Sequence, residues 1–476
     1  MMKKTRKTKI IATLGPSSSS PTTIEEMMLS GVDVFRINFS HANHPEIEKV
    51  ISTIRSLNKK NNVYTSILAD LQGPKLRIGN VEEGTNIVKD EIVKFCSEKK
   101  FIGNNKRVYV KYKRFAKDVK IGETLLIDDG KLIFKILETD NVYNVKAKVI
   151  QGGPLFSKKG INLPNTKISL PALTEKDLED AIFSINQKVD WIALSFVRNG
   201  SDLNELKKII TEKSNHKIPI ISKIEKPEAL DNIDEIILNS DGIMVARGDL
   251  GVEVSAAEVP LIQKQLVNKA KKSRIPVIIA TQMMEGMINS LTPTRAEVND
   301  VANSVMDGAD AVMLSGETSV GKYPVKVVDV MSSILKTVED SPLIKVPQSP
   351  PSVRSKRYIT KSICYHAANM ANEIDATAIC TLTNSGYTAF QISAWRPSAN
   401  ILVFTSNELI LTQLNLLWGV KAFYYDKFES TDKTVVQVNN MALKNNFVEK
   451  GDMLINLAAM PVKNKGMVNT LRISMI

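Results

Sequence analysis

Short apolar runs rich in β-branched residues recur along the chain, each followed by a stretch whose apolar positions fall at helical spacing. They cover residues 9–13, 34–39, 64–71, 191–197, 219–224, 242–246, 276–281 and 311–315. Amphipathic segments such as residues 258–273 separate most of them. Eight strand–helix units of this kind predict an α/β fold built on a (β/α)8 barrel.

The rhythm breaks between the third and fourth runs. Residues 72–169 are strand-rich and carry turn signals at Asp128-Asp129-Gly130, Asp140-Asn141 and Gly152-Gly153-Pro154. This stretch reads as a small β-barrel domain inserted in a loop of the TIM barrel. An insertion after a strand end lies over the face where barrel enzymes keep their active sites, so it is expected to act as a lid. A Pro/Ser-rich stretch at residues 342–352 reads as a linker. Beyond it, residues 377–382, 400–405, 420–425 and 453–457 look like strands with helical patterns between them, a separate α/β layer domain. The expected division is therefore a barrel at 1–71 and 170–345, a lid at 72–169 and a C-terminal α/β regulatory domain at 346–476.

Composition narrows the class. Apolar residues make up 43% and charged residues 24% of the chain, ordinary values for a globular protein. The apolar runs are too short to span a bilayer, and the basic N-terminus lacks a secretory apolar core. No membrane partner is expected, and a cytoplasmic location follows. The three cysteines, Cys96, Cys364 and Cys380, lie far apart and suggest neither a disulfide framework nor a cysteine zinc site. A net charge of +12 raises the question of nucleic acid. The basic residues are spread along the chain and no recognition motif appears, so no nucleic-acid partner is expected. A positive field also suits anionic substrates.

Polar residues gather at the C-terminal ends of the barrel runs. Arg36, Asn38 and Ser40 stand at the second, Asp70 ends the third, and Lys223 and Glu225 end the fifth. Arg247, Gly248 and Asp249 end the sixth, Thr281 and Gln282 the seventh, and Glu317 follows the eighth. A lone aspartate at such a place is usually a cap or turn former; the repetition over most strands reads as catalytic. Glu225 and Asp249 are hard oxygen ligands on neighbouring strands and suit Mg²⁺, or Mn²⁺, with substrate and water oxygens completing the shell. The plainer alternative pairs both with Lys or Arg in a buried network. Lys223, two residues before Glu225, points the same way in a strand. It can stabilise charge on a transferring group, or simply pair with Glu225. Arg36 and Arg77 offer planar forks for phosphate oxygens. Gly248, lacking Cβ, lets its backbone approach a carboxylate. The segment GETSVGK at residues 316–322 has P-loop spacing, but Tyr323 stands where a Mg²⁺-binding hydroxyl belongs.

At these residues the sequence closely resembles the pyruvate kinase family. The shared segments are KTKIIATLGPSS at 7–18, FRINFSHA at 35–42, LADLQGPKLRIG at 68–79, KKGINLP at 158–164, ISKIEKPEAL at 221–230, MVARGDLGVE at 244–253, ATQMMEGM at 280–287 and PTRAEVNDVAN at 293–303. The C-terminal domain matches more loosely. The resemblance implies phosphoryl transfer from phosphoenolpyruvate to ADP, giving ATP and pyruvate, a glycolytic step. It implies that Arg36 grips the phosphate and that Lys223 stabilises the transferring phosphoryl. Glu225 and Asp249 would hold Mg²⁺, the backbone at Gly248 and Asp249 would bind the substrate carboxylate, and Thr281 would lie by the carbon that is protonated. Asn38, Phe39, Ser40, His41, Arg77 and Lys159 would meet the nucleotide. Such a transfer needs positioning and electrostatics rather than a protein nucleophile.

The resemblance also implies a K⁺ site at Asn38, Ser40 and Asp70. Here the hinge reads Gly73-Pro74-Lys75, with Lys where K⁺-dependent members carry Glu, and Leu71 fits the same K⁺-independent branch. The Lys75 ammonium is expected to stand where K⁺ would sit. In the C-terminal domain, TNSGYT at 383–388 keeps Thr383, Ser385 and Thr388 beside a helix start, a phosphate nest or a plain helix cap. Regulation by a phosphorylated metabolite and a homotetramer follow from the resemblance. Two other readings use the same fold. A Mg²⁺-dependent enolate lyase would share Glu225 and Asp249 without needing Lys158 and Lys159, and an idle regulatory homologue would be expected to lose Lys223 or a metal carboxylate.

Overall fold

The computed structural model of the chain describes residues 6–40, 43–164, 166–341, 350–352, 355, 357–427, 429–461 and 466–476. The predicted linker falls largely outside them. All eight barrel runs form strands: β1 Lys9–Thr13, β2 Val34–Asn38 and β3 Ser66–Asp70 before the insertion. Among the described residues, eight strands follow within it: β4 Asn86–Ile87, β5 Ile92–Cys96, β6 Arg107–Tyr109, β7 Thr124–Ile127, β8 Leu132–Thr139, β9 Asn144–Gln151, β10 Gly153–Pro154 and β11 Ile161–Asn162. The barrel resumes with β12 Trp191–Leu194, β13 Ile220–Ile224, β14 Gly242–Ala246, β15 Val277–Ala280 and β16 Ala311–Leu314. The sheet closes in the order β1-β16-β15-β14-β13-β12-β3-β2, parallel throughout.

Strand alternation sorts the side chains into two layers. Ile11, Val34, Leu68, Trp191, Ile221, Met244 and Ile278 share one buried cluster, whereas Ile10, Phe35, Ile67, Ile192, Ile220 and Ile243 pack in the larger cluster with the helices. Helix starts and stops follow local chemistry. Thr174 with Asp177 and Thr294 with Glu297 form reciprocal capping boxes, and Gly31 and Gly308 end their helices in left-handed conformation.

The insertion leaves the barrel at the C-terminal end of β3. It folds as a six-stranded sheet, β11-β7-β8-β9-β5-β6, with its own core around Phe95, Phe115 and Phe134. Two of the three turn signals are used as read: Asp128, Asp129 and Gly130 all take positive φ between β7 and β8, and Asn141 does so between β8 and β9, whereas Gly153 and Pro154 of the third form the short strand β10. A base ribbon joins insertion to barrel. Arg77 bridges Gly160, and the Ile161 amide donates to the Leu76 carbonyl at 3.0 Å.

The C-terminal unit is a five-stranded sheet in the order β19-β18-β17-β20-β21, from β17 Ala378–Leu382, β18 Asn400–Thr405, β19 Val420–Tyr424, β20 Met453–Ala458 and β21 Thr470–Met475. The edge strand β21 runs antiparallel and was not anticipated from the sequence. This unit seals the N-terminal end of the barrel. Leu416 joins the inner barrel cluster, the Trp191 indole donates to the Gln413 carbonyl at 3.1 Å, and Arg396 pairs with Asp310 at 2.9 Å. The insertion meets the opposite, C-terminal end, where Lys75 reaches Asp249 and Asn162 reaches Glu253.

Candidate active site

Lys223 and Glu225 sit on alternate positions at the end of β13 and face the same way. The Lys223 ammonium donates to Ser195 Oγ at 2.7 Å and lies 3.1 Å from both Asp70 Oδ1 and Glu225 Oε1. Burial alone would lower its pKa, but Asp70 and Glu225 outweigh that and hold it above its ordinary value, so the group is a fixed cation. Burial, helped by Asp249 and Asp70 and opposed by Lys223, pushes Glu225 up. Asp70 is also buried, yet Lys223 and Arg36 hold it below the usual carboxylate range. Arg36 completes the chain, donating through Nε to Asp70 at 2.6 Å and through Nη1 to Thr13 Oγ1 at 3.0 Å.

Asp249 lies one strand further on, in the short helix Arg247–Glu253 that opens after β14. Its Oδ1 accepts from Lys75 at 3.1 Å. Glu225 Oε2 accepts from the Phe196 amide at 2.7 Å, whereas the buried Oε1 has no hydrogen bond from the described residues, only the ammonium beside it. Each carboxylate thus has a lysine beside it, as in the plainer alternative, yet a Glu225 oxygen with no hydrogen bond from the described residues and the partly exposed Asp249 also fit a hard divalent cation. Among the described residues no cluster of three or more His, Cys, Asp or Glu could form a full protein cage. Two carboxylates suit Mg²⁺, which keeps water and substrate oxygens in its shell.

Thr281 faces this pair from the end of β15. Thr281 and Gln282 take φ of 72° and 54°, a left-handed conformation rare for residues with a Cβ. Arg247 holds the turn: its guanidinium is bidentate to Asp300 at 2.6 and 2.7 Å and donates to the Thr281 carbonyl at 2.8 Å. The Gly248 amide donates to Thr281 Oγ1 at 2.7 Å, and a Cβ on Gly248 would lie 3.3 Å from that oxygen. A side chain there would crowd the Thr281 hydroxyl, which glycine leaves clear. Glu317 is a clip rather than a ligand, accepting from the amides of Met284 and Ser315.

The remaining expected residues divide. Arg36, Asp70, Lys223, Glu225, Gly248, Asp249 and Thr281 share the barrel mouth. Arg77 and Lys159 lie on the base ribbon, where Lys159 pairs with Asp128 at 2.9 Å. Phe39 corrects its expectation: the ring is fully buried against Phe183 and His44, and its carbonyl accepts from Lys176, so its side chain does not meet a nucleotide. Phe39 lies in the turn just past β2 and packs into the barrel–helix core, while its neighbours Asn38 and Ser40 make their own contact, the Ser40 amide to Asn38 Oδ1 at 3.1 Å. His41 lies outside the described residues. Lys75 also departs from expectation, bonding to Asp249 and not to Asn38, Ser40 or Asp70. In the C-terminal unit Thr383 Oγ1 accepts from the Gly386 amide at 3.0 Å, closing the turn ahead of the helix Tyr387–Ala394, whose N-cap Gly386 has no side-chain cap bond; Thr388 is buried and Ser385 is exposed. Ser195 and Asp300 were not singled out from the sequence. Asp300 lies in a shared segment, and neither residue type nor spacing marks Ser195.

A family model described as the pyruvate kinase barrel domain matches residues 5–328, and one described as the pyruvate kinase alpha/beta domain matches residues 361–474. A pyruvate kinase of Corynebacterium glutamicum is 41% identical over 471 residues, covering 99% of this chain and 98% of that protein. One of Mycobacterium tuberculosis is 39% identical over 484 residues, covering 99% of each. The crystal structure of a pyruvate kinase from Cryptosporidium parvum shares the fold with a TM-score of 0.90 at 34% identity, covering 99% of this chain and 96% of that one.

The buried cluster makes a stability prediction. Asp70→Ala strips Arg36 of its carboxylate partner and leaves Lys223 with Glu225 as its one close counter-charge, and should cost about 3–5 kcal/mol. Urea unfolding followed by circular dichroism reads the loss; an unchanged midpoint would refute the role given to Asp70.

Proposed function

The chain belongs to the pyruvate kinase family, and from that premise we propose that Lys223, Glu225 and Asp249 carry the transfer of a phosphoryl group from phosphoenolpyruvate to ADP, yielding ATP and pyruvate. The observation behind this assignment is the buried Lys223 ammonium, held charged 3.1 Å from a Glu225 oxygen that accepts no hydrogen bond from the described residues. An idle homologue would be expected to lose one of the three, and all are kept.

Glu225 and Asp249 would hold Mg²⁺, or Mn²⁺, which when bound offsets negative charge on the phosphoryl and enolate oxygens. Arg36, kept rigid by Asp70 and Thr13, grips the substrate phosphate with its remaining donors. Lys223 stabilises charge on the transferring phosphoryl without moving, because Ser195 and Asp70 already fix it. The substrate carboxylate docks against the Gly248 and Asp249 backbone. Thr281, set in its left-handed turn by Arg247, stands near the carbon that gains a proton as the enolate becomes pyruvate. Nucleotide phosphates meet Asn38, Ser40, Arg77 and, from the inserted domain acting as a lid, Lys159. Water exclusion by that lid favours transfer to ADP over hydrolysis.

Three further assignments extend this reading. We assign the chain, on its Gly73-Pro74-Lys75 hinge and Leu71, to the K⁺-independent branch, with the Lys75 ammonium supplying the monovalent charge from beside Asp249. A phosphorylated metabolite regulates through the C-terminal domain, with Ser385 the exposed hydroxyl of the 383–388 loop and Thr383 partly exposed beside it. The protein is a cytoplasmic homotetramer. No helix among the described residues is long and apolar enough to cross a membrane, and the exposed edge strand β21 offers a face for a second copy.

Three measurements test the proposal. In a coupled assay of pyruvate formation from phosphoenolpyruvate and ADP, Lys223→Met should lower kcat by about 10²–10³-fold or more while Mn²⁺ still binds; retained turnover would refute its role. Rates in Tris or Na⁺ buffer should match those in K⁺, and Lys75→Glu should make the enzyme require K⁺. A large rise in wild-type rate on adding K⁺ would sink the Lys75 assignment. Fructose 1,6-bisphosphate, AMP or ribose 5-phosphate should shift the substrate saturation curve, and flat responses to all three would remove the effector assignment.

A further inference from the structure

Below the metal carboxylates lies a second, buried polar cluster that the transfer itself does not use. Asp249 is the third residue of the helix Arg247–Glu253, and Glu253 is its last. A spacing of four places both on one face of that helix. The Glu253 side chain is 1% exposed. Its Oε1 accepts from the Lys226 ammonium at 2.6 Å and from the Asn162 side-chain amide at 2.9 Å. Oε2 is buried and accepts no hydrogen bond from the described residues.

Each partner leads somewhere specific. Lys226 directly follows Glu225, so the Lys226–Glu253 pair ties the chain beside one metal carboxylate to the helix that carries the other. Asn162 belongs to β11 of the inserted domain and is itself buried. Lys75 reaches Asp249 from the partner segment of the same base ribbon, where the Leu76 carbonyl accepts from the Ile161 amide. The inserted domain thus touches the helix at two points one turn apart, at Asp249 and at Glu253.

A buried carboxylate with both bonds on one oxygen and none on the other adds little net stability, since desolvation offsets the pairing. What such a contact does give is a fixed distance. We propose that Glu253 is a positioning residue. Joined to Lys226 and Asn162, it sets the separation of Glu225 and Asp249 and links that separation to the placement of the inserted domain. The inference rests on Glu225 and Asp249 being the divalent-cation ligands. It deepens that reading, because affinity for the cation then depends on a residue of the inserted domain that touches neither carboxylate. Linkage is reciprocal, so occupancy of the metal site also holds the inserted domain in place.

The test is Mn²⁺ binding to the full-length protein without nucleotide, read from the electron paramagnetic resonance of free Mn²⁺. Glu253→Gln should weaken binding about ten-fold, the scale typical when support behind a metal ligand is lost. Asn162→Leu, which leaves the Lys226 contact intact, should weaken it at least about two-fold. A role confined to stability would lower the melting temperature and the active fraction but leave the dissociation constant per active site unchanged. Wild-type affinity in Glu253→Gln overturns the positioning role, and wild-type affinity in Asn162→Leu overturns the link to the inserted domain. If Glu253→Gln fails to fold, Lys226→Met removes the same bond from the other side and is read by the same criterion. Glu225→Gln separates the two levels: if it still binds Mn²⁺ tightly, the metal-site assignment has failed, whatever the Glu253 variants do.

Discussion

A lysine ammonium kept charged inside a barrel mouth is the constraint around which this site is arranged. Taking that charge out of water is costly, and only close carboxylates and a hydroxyl acceptor make it tolerable. Asp70 and Glu225 provide the charge and Ser195 the acceptor, from the ends of β3, β13 and β12 respectively. Asp70 is shared with Arg36 from β2, which in turn leans on Thr13 from β1. Five strands therefore contribute to one electrostatic unit. Closure of the sheet brings residues far apart in sequence within hydrogen-bond reach, and a helix bundle would offer no such ring of strand ends.

The insertion point follows from the same geometry. β3 ends on Asp70, and the chain leaves the barrel three residues later at Gly73, with φ of 69°. A Cβ there would lie 2.8 Å from the Ser195 Cβ, and the Gly73 amide donates to Asp177 at 2.9 Å. The exit of the inserted domain is thus pressed against the residue that holds Lys223. Placement of the domain and placement of the catalytic cation share one small patch of backbone.

Much of this was legible in the sequence, for identifiable reasons. Parallel barrel strands are covered on both faces, so they appear as unbroken apolar runs, and all eight stood out. The strand β21 did not. It lies at a sheet edge with Ile473 and Met475 exposed, and its mixed polar pattern reads as a tail. Lys223, Glu225 and Asp249 were recognisable because charged side chains at the ends of successive barrel strands converge on one mouth, where chemistry is done. Their supports were not, since nothing local marks a contact spanning 28 residues from Lys223 to Ser195, 53 from Arg247 to Asp300, or 91 from Asn162 to Glu253. Phe39 shows a different limit: it shares a motif with Asn38 and Ser40, but its ring is buried in the core.

The seam between the barrel and the C-terminal unit has one more consequence, for spectroscopy. The chain holds 3 tryptophans, and all of them lie along that seam. The Trp191 indole reaches Gln413 across it, Trp395 stacks under Arg274 at 4.6 Å, and Trp418 is flanked by Lys7 and by Arg396. Intrinsic emission from this protein therefore reports how the C-terminal unit is seated on the barrel floor. The inserted β domain carries no indole, so it can shift or melt without altering that signal directly, and its behaviour has to be watched with a label of its own.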